Sequence, residues 1–409
     1  MEKSFQENLK NECVCGESHT LSTQKIVVSL NAFSDLINNL VESKYKNILI
    51  MSSLKDPYFV DELKVQLTKT DKQFSVISMP NCIANNFFAQ KIEDKNQDVV
   101  VAMGNDQIIS LAKYYAYSFE CPLILFASGN FCDFTFSKYA RLFDGVMFQF
   151  YVTNPPEEIY VSLKLNSYNE YQLQYIASKF FAMFDNKIKS VIYKKDDCPK
   201  MQEFLKKTLV NHMKNIDLPK EKLNEINIWT LIRLGQAMSY FNSSKNFFGA
   251  DRAISEMLCG TRIGADYLEI NTISFKLLMN SYDCFLKKRP YNFSVNLNRH
   301  IQGVSKFLKI SSTTVLQRLV DSELLQIDKK KMKVFESYQP YLYAYFKKLA
   351  KHMIKVQTKL YLNENVLKKY NIKANLVEKA FALAVNFSDK HSLLHIIYGY
   401  GYLDRLLCE

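Results

Sequence analysis

Asp98-Val99-Val100-Val101-Ala102-Met103-Gly104-Asn105-Asp106-Gln107-Ile108-Ile109-Ser110-Leu111-Ala112-Lys113 joins a continuous apolar run to a helix-like pattern through a single glycine. An apolar run without polar alternation reads as a strand buried on both faces, the kind found in parallel sheets. The turn at Gly104 therefore sits at the carboxyl end of a strand and opens a helix. Such a turn is a ready anion site, because the first helical N–H groups point outward and the helix dipole favours negative charge. A pyrophosphate loop, however, normally carries several residues without Cβ, so that the backbone can approach the phosphates. Here one glycine is present, and Asp106 puts a carboxylate where a phosphate would sit.

Working outward, similar runs occur at Asn47-Ile48-Leu49-Ile50-Met51-Ser52, Phe74-Ser75-Val76-Ile77-Ser78 and Cys121-Pro122-Leu123-Ile124-Leu125-Phe126. Between them, Pro57 to Lys69 and Gln107 to Phe119 carry apolar residues at three- and four-residue spacing, which predicts crossover helices. The alternation predicts an α/β, Rossmann-like parallel-sheet domain over residues 1–165. After Asn166 the strand signal fades, and 172–184, 201–213, 226–241, 270–285, 338–357 and 376–387 read as amphipathic helices. An all-helical domain over 166–409 follows, with Asn154-Pro155-Pro156-Glu157 and the run Ile159-Tyr160-Val161-Ser162-Leu163 at the seam.

The 409 residues are 48% hydrophobic and 23% charged, the balance of a soluble globular chain of two or three domains. Eleven Gly and nine Pro exclude collagen-like and linker-rich classes. No apolar run reaches the roughly 18 residues of a membrane span. The opening Met1 to Asn8 lacks the apolar segment of a secretory signal, so a cytoplasmic chain is expected. Of 53 basic and 41 acidic residues, 15 and 19 fall within 1–165, which leaves 38 and 22, a net of +16, for 166–409. Lys287-Lys288-Arg289 and Lys329-Lys330-Lys331 are candidate phosphate or nucleic-acid contacts, but no nucleic-acid recognition motif accompanies them, and a solvated basic face is the expectation.

Nine cysteines, an odd number without repeating spacing, read as reduced thiols. Only Cys13-Val14-Cys15 with His19 is clustered. These three offer soft metal ligands, yet a structural zinc site needs four, no nearby fourth is visible, and a plain surface loop is expected.

The order of these segments resembles the sn-glycerol-1-phosphate dehydrogenases, relatives of the iron-containing alcohol dehydrogenases and 3-dehydroquinate synthases. Cys13-Val14-Cys15-Gly16-Glu17-Ser18-His19 is similar to that family's Cys-x-Cys-Gly-x-x-His opening, and Asp98 to Gly104 to the strand before its cofactor loop. Pro122 to Ser128 is similar to the strand reaching its Pro-Thr motif, with Asp133 in the place of the Asp that follows. Gly249-Ala250-Asp251-Arg252-Ala253-Ile254-Ser255-Glu256 looks like its Gly-x-Glu-His-x-x-Ser-His segment, and Asn375 to Asp389 with Gly401-Tyr402-Leu403 like its C-terminal helices. The resemblance implies a dehydroquinate synthase-like fold, NAD(P) on the first domain, and a divalent zinc, iron or nickel ion held by an Asp and two His. It also implies dimers or larger assemblies.

Against that pattern the chain departs at each chemical position. Arg252 stands for the first His, and a guanidinium that stays protonated has no lone pair for a cation. Gly260-Thr261-Arg262-Ile263-Gly264 replaces the second His with Arg262. The segment that would bring the Asp ligand holds only Glu170 as a carboxylate, and Ser110 takes the place of an Asp on the cofactor helix. Gly104, Asn105, Asp106, Gln107, Ser128 and Asp133 are thus a vestigial cofactor site. No metal is expected at Glu170, Arg252 and Arg262, although Arg252 and Arg262 together suit a phosphorylated ligand.

The expected function is a catalytically silent binding, scaffold or regulatory protein, as a homo-oligomer or with a partner protein. The alternative is an active NAD(P)-dependent dehydrogenase acting on glycerol phosphate or a similar polyol phosphate. His391 and His395, four apart, read as a structural pair, Cys259 as buried, Trp229 as core, and the 25 Tyr and 29 Phe as core filling.

Overall fold

In the computed structural model the described residues are 13, 15, 16, 19, 23–53, 57–79, 83–93, 96–145, 147–262, 264–288, 295–321, 329–357, 363–389 and 391–405. Val14, Glu17, Ser18, Cys82, Ile263, Arg289, Cys408 and the opening Met1 to Asn8 of the sequence reading lie outside them. Along the chain come β1 (Lys25–Ser29), α1 (Ala32–Glu42), β2 (Asn47–Ser53), α2 (Pro57–Leu67), β3 (Gln73–Met79), α3 (Asn86–Lys91), β4 (Val99–Gly104), α4 (Asp106–Ser118) and β5 (Leu123–Ala127). A 3-10 turn (Asp133–Phe136), β6 (Tyr139–Phe143), β7 (Phe148–Val152) and β8 (Glu158–Ser162) follow. The rest is helical: α5 (Glu170–Tyr193), α6 (Pro199–Lys214), α7 (Lys220–Tyr240), α8 (Ala250–Thr261), α9 (Tyr267–Lys287), α10 (Leu297–Leu308), α11 (Ser312–Asp321) and α12 (Lys329–Gln357). The last are α13 (Asn363–Lys369), α14 (Ala374–Leu383), α15 (Leu393–Gly399) and α16 (Tyr402–Arg405).

Two compact units result, one of residues 1–169 with 215–244, the other of 170–214 with 245–409. The single cut expected after residue 165 is replaced by three crossings, because α7 joins the first unit. Amphipathic periodicity shows that a helix has an apolar face; it does not show which body that face meets.

The first unit is built on a six-stranded, all-parallel sheet in the order β1-β8-β5-β4-β2-β3. Val99-Val100-Val101-Ala102-Met103-Gly104 and Leu123-Ile124-Leu125-Phe126-Ala127 are buried along their whole length, which is why neither run alternates. Leu36, Leu40, Ile50, Val101, Ile124 and Phe126 fill the core between helices and sheet. β2 runs on to β3 on one side and β4 to β5 on the other, so the connections part between the neighbours β2 and β4. Ser53 and Gly104 end those strands, at the position where open α/β sheets receive ligands.

A β6–β7 hairpin and α7 complete this unit. Gln236 Nε2 donates to the Phe136 carbonyl at 2.6 Å, and Ser239 Oγ accepts the Lys138 N–H at 2.8 Å. Gly235 permits that closeness: an added Cβ would fall on the Asp133 carbonyl oxygen and 2.9 Å from Phe136 Cβ. Trp229, on the same helix, is largely but not fully buried.

In the second unit α5 lies centrally and packs on α9 and α12. Edge-on aromatic contacts fill the contact faces, with Phe181 on Phe275 at 5.6 Å and Phe184 on Phe346 at 5.2 Å between centroids. Cys259 is buried, and His391 pairs with Asp389 at 3.0 Å while His395 Nδ1 meets Ser388 Oγ at 3.2 Å.

Gly235→Ala is expected to destabilise the protein by about 1–3 kcal/mol, since backbone on both sides must separate. Urea denaturation measures it; a change below about 0.5 kcal/mol, the size of an ordinary surface substitution, would refute the close approach.

Candidate functional site

At the β4–α4 turn Gly104 has φ +146°, in the region that favours glycine. Asn105 then caps α4: its Oδ1 accepts the N–H of Gln107 at 3.2 Å and of Ile108 at 3.3 Å. These are the donors that an anion at the helix start would take, and the chain itself occupies them. Gln107 Oε1 accepts the Ala84 N–H at 2.9 Å, and the Ser128 N–H donates to the Gly104 carbonyl at 3.0 Å. The structure thus brings Gly104, Asn105, Asp106, Gln107 and Ser128 to one strand end, as a turn closed by its own side chains.

Asp133 sits on the 3-10 turn, fully buried, with Oδ1 accepting the Phe134 N–H at 2.9 Å. The group near both Asp106 and Asp133 is Lys113, about two helix turns past the cap. Its ammonium donates to the carbonyls of Phe134 at 2.6 Å and Tyr139 at 3.2 Å. Burial pushes its pKa well below the ordinary lysine value, and the two carboxylates oppose that shift.

Asn166 was not singled out by sequence, yet it fastens the same edge. Its amide donates to the Ala127 carbonyl at 3.1 Å and the Ser162 carbonyl at 2.8 Å, while Oδ1 accepts the Gly129 N–H at 3.0 Å. The ends of β5 and β8 are laced together by one side chain in the region where the resemblance implies a metal-binding Asp.

In the helical unit Glu170 is the first residue of α5. Arg252 lies in the first turn of α8, its guanidinium carbon 4.7 Å from the centroid of the Phe248 ring. Arg262 follows the end of the same helix and donates to the carbonyls of Tyr370, Thr261 and Asn371, each at 3.1 Å. Ten residues of helix separate the two arginines, about 15 Å along the axis, so they do not form one anion clamp. Arg262 instead caps the chain leaving α13, because carbonyls at a helix end accept cationic donors well.

What the helical unit does hold is a buried polar cluster that sequence reading missed. Asp185 of α5 accepts the N–H of Ala250 at 3.1 Å, the N–H of Leu393 at 3.0 Å and the Tyr282 hydroxyl at 3.2 Å. Ala250 and Leu393 open α8 and α15, so one carboxylate caps two helices. Asp251 accepts from Asn271 Nδ2 at 2.9 Å, and Ser255 Oγ bonds Ser274 Oγ at 2.9 Å. Lys179 is buried, donates to the Tyr175 hydroxyl at 2.8 Å, and lies 4.2 and 4.3 Å from the Tyr175 and Phe248 ring centroids. Desolvation raises both carboxyls: Asp185 is pushed up to about 7 although its three donors pull it down, and Asp251 rises against pulls from Asn271 and Lys179. The available signal was charge inside an apolar helix, Ser178-Lys179-Phe180-Phe181-Ala182-Met183-Phe184-Asp185.

Solved structures match this architecture along almost the whole chain. The fold is that of the iron-containing alcohol dehydrogenases. An archaeal halo-thermophilic alcohol dehydrogenase from a Red Sea brine pool is 10% identical, with a TM-score of 0.56 over 96% of this chain and 98% of that one. The iron-containing enzyme of Corynebacterium glutamicum is 11% identical, with a TM-score of 0.54 over 95% of both chains. That of Thermococcus thioreducens is 14% identical, with a TM-score of 0.52 over 95% and 99%. No protein-family profile and no curated protein sequence matches the chain. No helix among the described residues is long and apolar enough to cross a membrane.

The Asp185 carboxyl titrates higher folded than unfolded, so the folded state binds the extra proton between about pH 4 and 7. Its contribution to stability is then greatest below pH 4 and falls as pH rises to about 7. Urea denaturation of wild type and Asp185→Ala from pH 4 to 8 is expected to show the stability gap narrowing up to about pH 7 and constant above it. A gap that widens over that range would mean that the two helix N-termini outweigh desolvation.

Proposed function

We propose that the chain is a catalytically silent protein on a dehydrogenase fold, working through a second copy of itself or a partner protein and not through hydride transfer. The observation that carries this reading is the Asn105 side chain on the N–H groups of Gln107 and Ile108. A dinucleotide pyrophosphate would have to displace that amide and then lie beside the Asp106 carboxylate. The NAD(P) implied by the resemblance does not fit this turn.

The implied divalent metal does not fit either. Arg252 and Arg262 stand where imidazoles are implied, neither has a lone pair to give, and Arg262 is fixed on three carbonyls. In this reading these residues supply neither cofactor nor Lewis acid for a hydride step. The closer kinship with glycerol-1-phosphate dehydrogenases, oligomerisation and a cytoplasmic location belong to the same proposal, on the strength of the segment order and the absence of a membrane-spanning helix among the described residues.

Titration with NADH and NADPH, read by energy transfer from Trp229 and the tyrosines to the nicotinamide, is expected to give no saturable signal up to millimolar cofactor. Glycerol 1-phosphate with added zinc, nickel or iron is expected to give no turnover. Saturable micromolar binding of either cofactor would overturn the silent reading and favour the active dehydrogenase.

A further inference from the structure

Cys13, Cys15 and His19 converge in the first unit. Their ligand atoms lie within 4.8 Å of one another, and Cys15 Sγ is 3.2 Å from His19 Nε2. Two thiolates and an imidazole around one tetrahedral zinc, at Zn–S of about 2.3 Å and Zn–N of about 2.0 Å, stand about 3.6–3.8 Å apart, so the spacing needs only small adjustment to close on an ion.

The local backbone is shaped for this. The Gly16 N–H donates to the Cys13 carbonyl at 3.2 Å, and Gly16 has φ +76° with nothing within 4 Å of an added Cβ. The turn from Cys13 to Gly16 keeps the two cysteines close together. His19 is held from the other side by α7 and the residue after it: its ring lies 5.2 Å from Tyr240 and 5.0 Å from Phe241, with Nε2 turned to the thiol. The two rings fix the orientation of the imidazole. All three donors are partly buried, which limits competition from water while leaving a path for the ion.

We propose that Cys13, Cys15 and His19 form a zinc site that fastens the N-terminal segment to the end of α7, a role separate from the metal position of the dehydrogenase fold. Zinc suits a borderline-soft sulfur and nitrogen set, and binding would leave both thiols deprotonated. The surface-loop reading of this cluster is thereby replaced.

The test uses the full chain without an affinity tag, dialysed against metal-free buffer and analysed by inductively coupled plasma mass spectrometry. About one zinc per chain is expected, falling below about a tenth in Cys13→Ser, Cys15→Ser and His19→Ala. Because such variants can also fail to fold, the unaltered chain is loaded with cobalt(II) in parallel. Thiolate-to-cobalt charge-transfer absorption with tetrahedral d–d bands supports the site. Wild type that takes up no zinc and shows no charge transfer overturns it, as does a folded Cys13→Ser/Cys15→Ser double variant that keeps its zinc.

Discussion

The helical unit is organised around one buried carboxylate. Asp185 takes the first N–H of α8, the first N–H of α15 and the Tyr282 hydroxyl of α9, so four helices, α5 included, meet at two oxygen atoms. Burying a carboxylate in an apolar bundle costs several kcal/mol unless its oxygens are satisfied, and two helix N-termini aimed at it are the strongest neutral compensation a backbone can offer. The geometry reaches outward from there. Gly249, just before α8, lies so close to α5 that an added Cβ would come 2.5 Å from Phe181 Cβ, and Asp251, two residues on, begins the Asn271, Ser255 and Ser274 network. Helix starts, glycine and polar network all meet around this one carboxyl.

The same economy of backbone donors governs the sheet unit. At the β4–α4 turn, Asn105 takes two helix N–H groups, and at the neighbouring strand ends Asn166 takes the Gly129 N–H and two carbonyls. A nucleotide site keeps such groups available for its ligand; this edge uses them internally. A side-chain amide stabilises a turn much as a bound phosphate does, without a cofactor. The fold is that of a dehydrogenase, while at this strand end the side-chain amides of Asn105 and Asn166 hold the backbone groups.

Much of this was legible in the chain. Val99 to Gly104 and Leu123 to Ala127 are unbroken apolar runs because they are covered on both faces, and that one fact predicts parallel strands. Arg252 and Arg262 offer no lone pair to a metal, whatever surrounds them. Other features were hidden. α7 has the same amphipathic pattern as its neighbours, yet Gly235 lets it approach the 3-10 turn of the sheet unit, and no local signal distinguishes the two destinations. Arg252 and Arg262 looked like a pair in sequence because ten residues are few; along a helix ten residues are about 15 Å.

By itself the sequence determined the class of each segment, the sheet-then-helix order and which side chains can offer a lone pair, since periodicity, β-branching and the presence of a lone pair are properties of residues. Only the tertiary structure decided which donors remain available. Asn105 is a common helix cap and Asp185 an ordinary acidic residue until distance and burial show one holding the first N–H groups of α4 and the other joining two helix starts. Cys13, Cys15 and His19 were a cluster in sequence, and only the structure brings their ligand atoms within 4.8 Å of one another, beside the Tyr240 and Phe241 rings. Hydrogen bonds and metal coordination depend on positions within a few ångströms, and the long-range packing that fixes those positions is not written in local sequence.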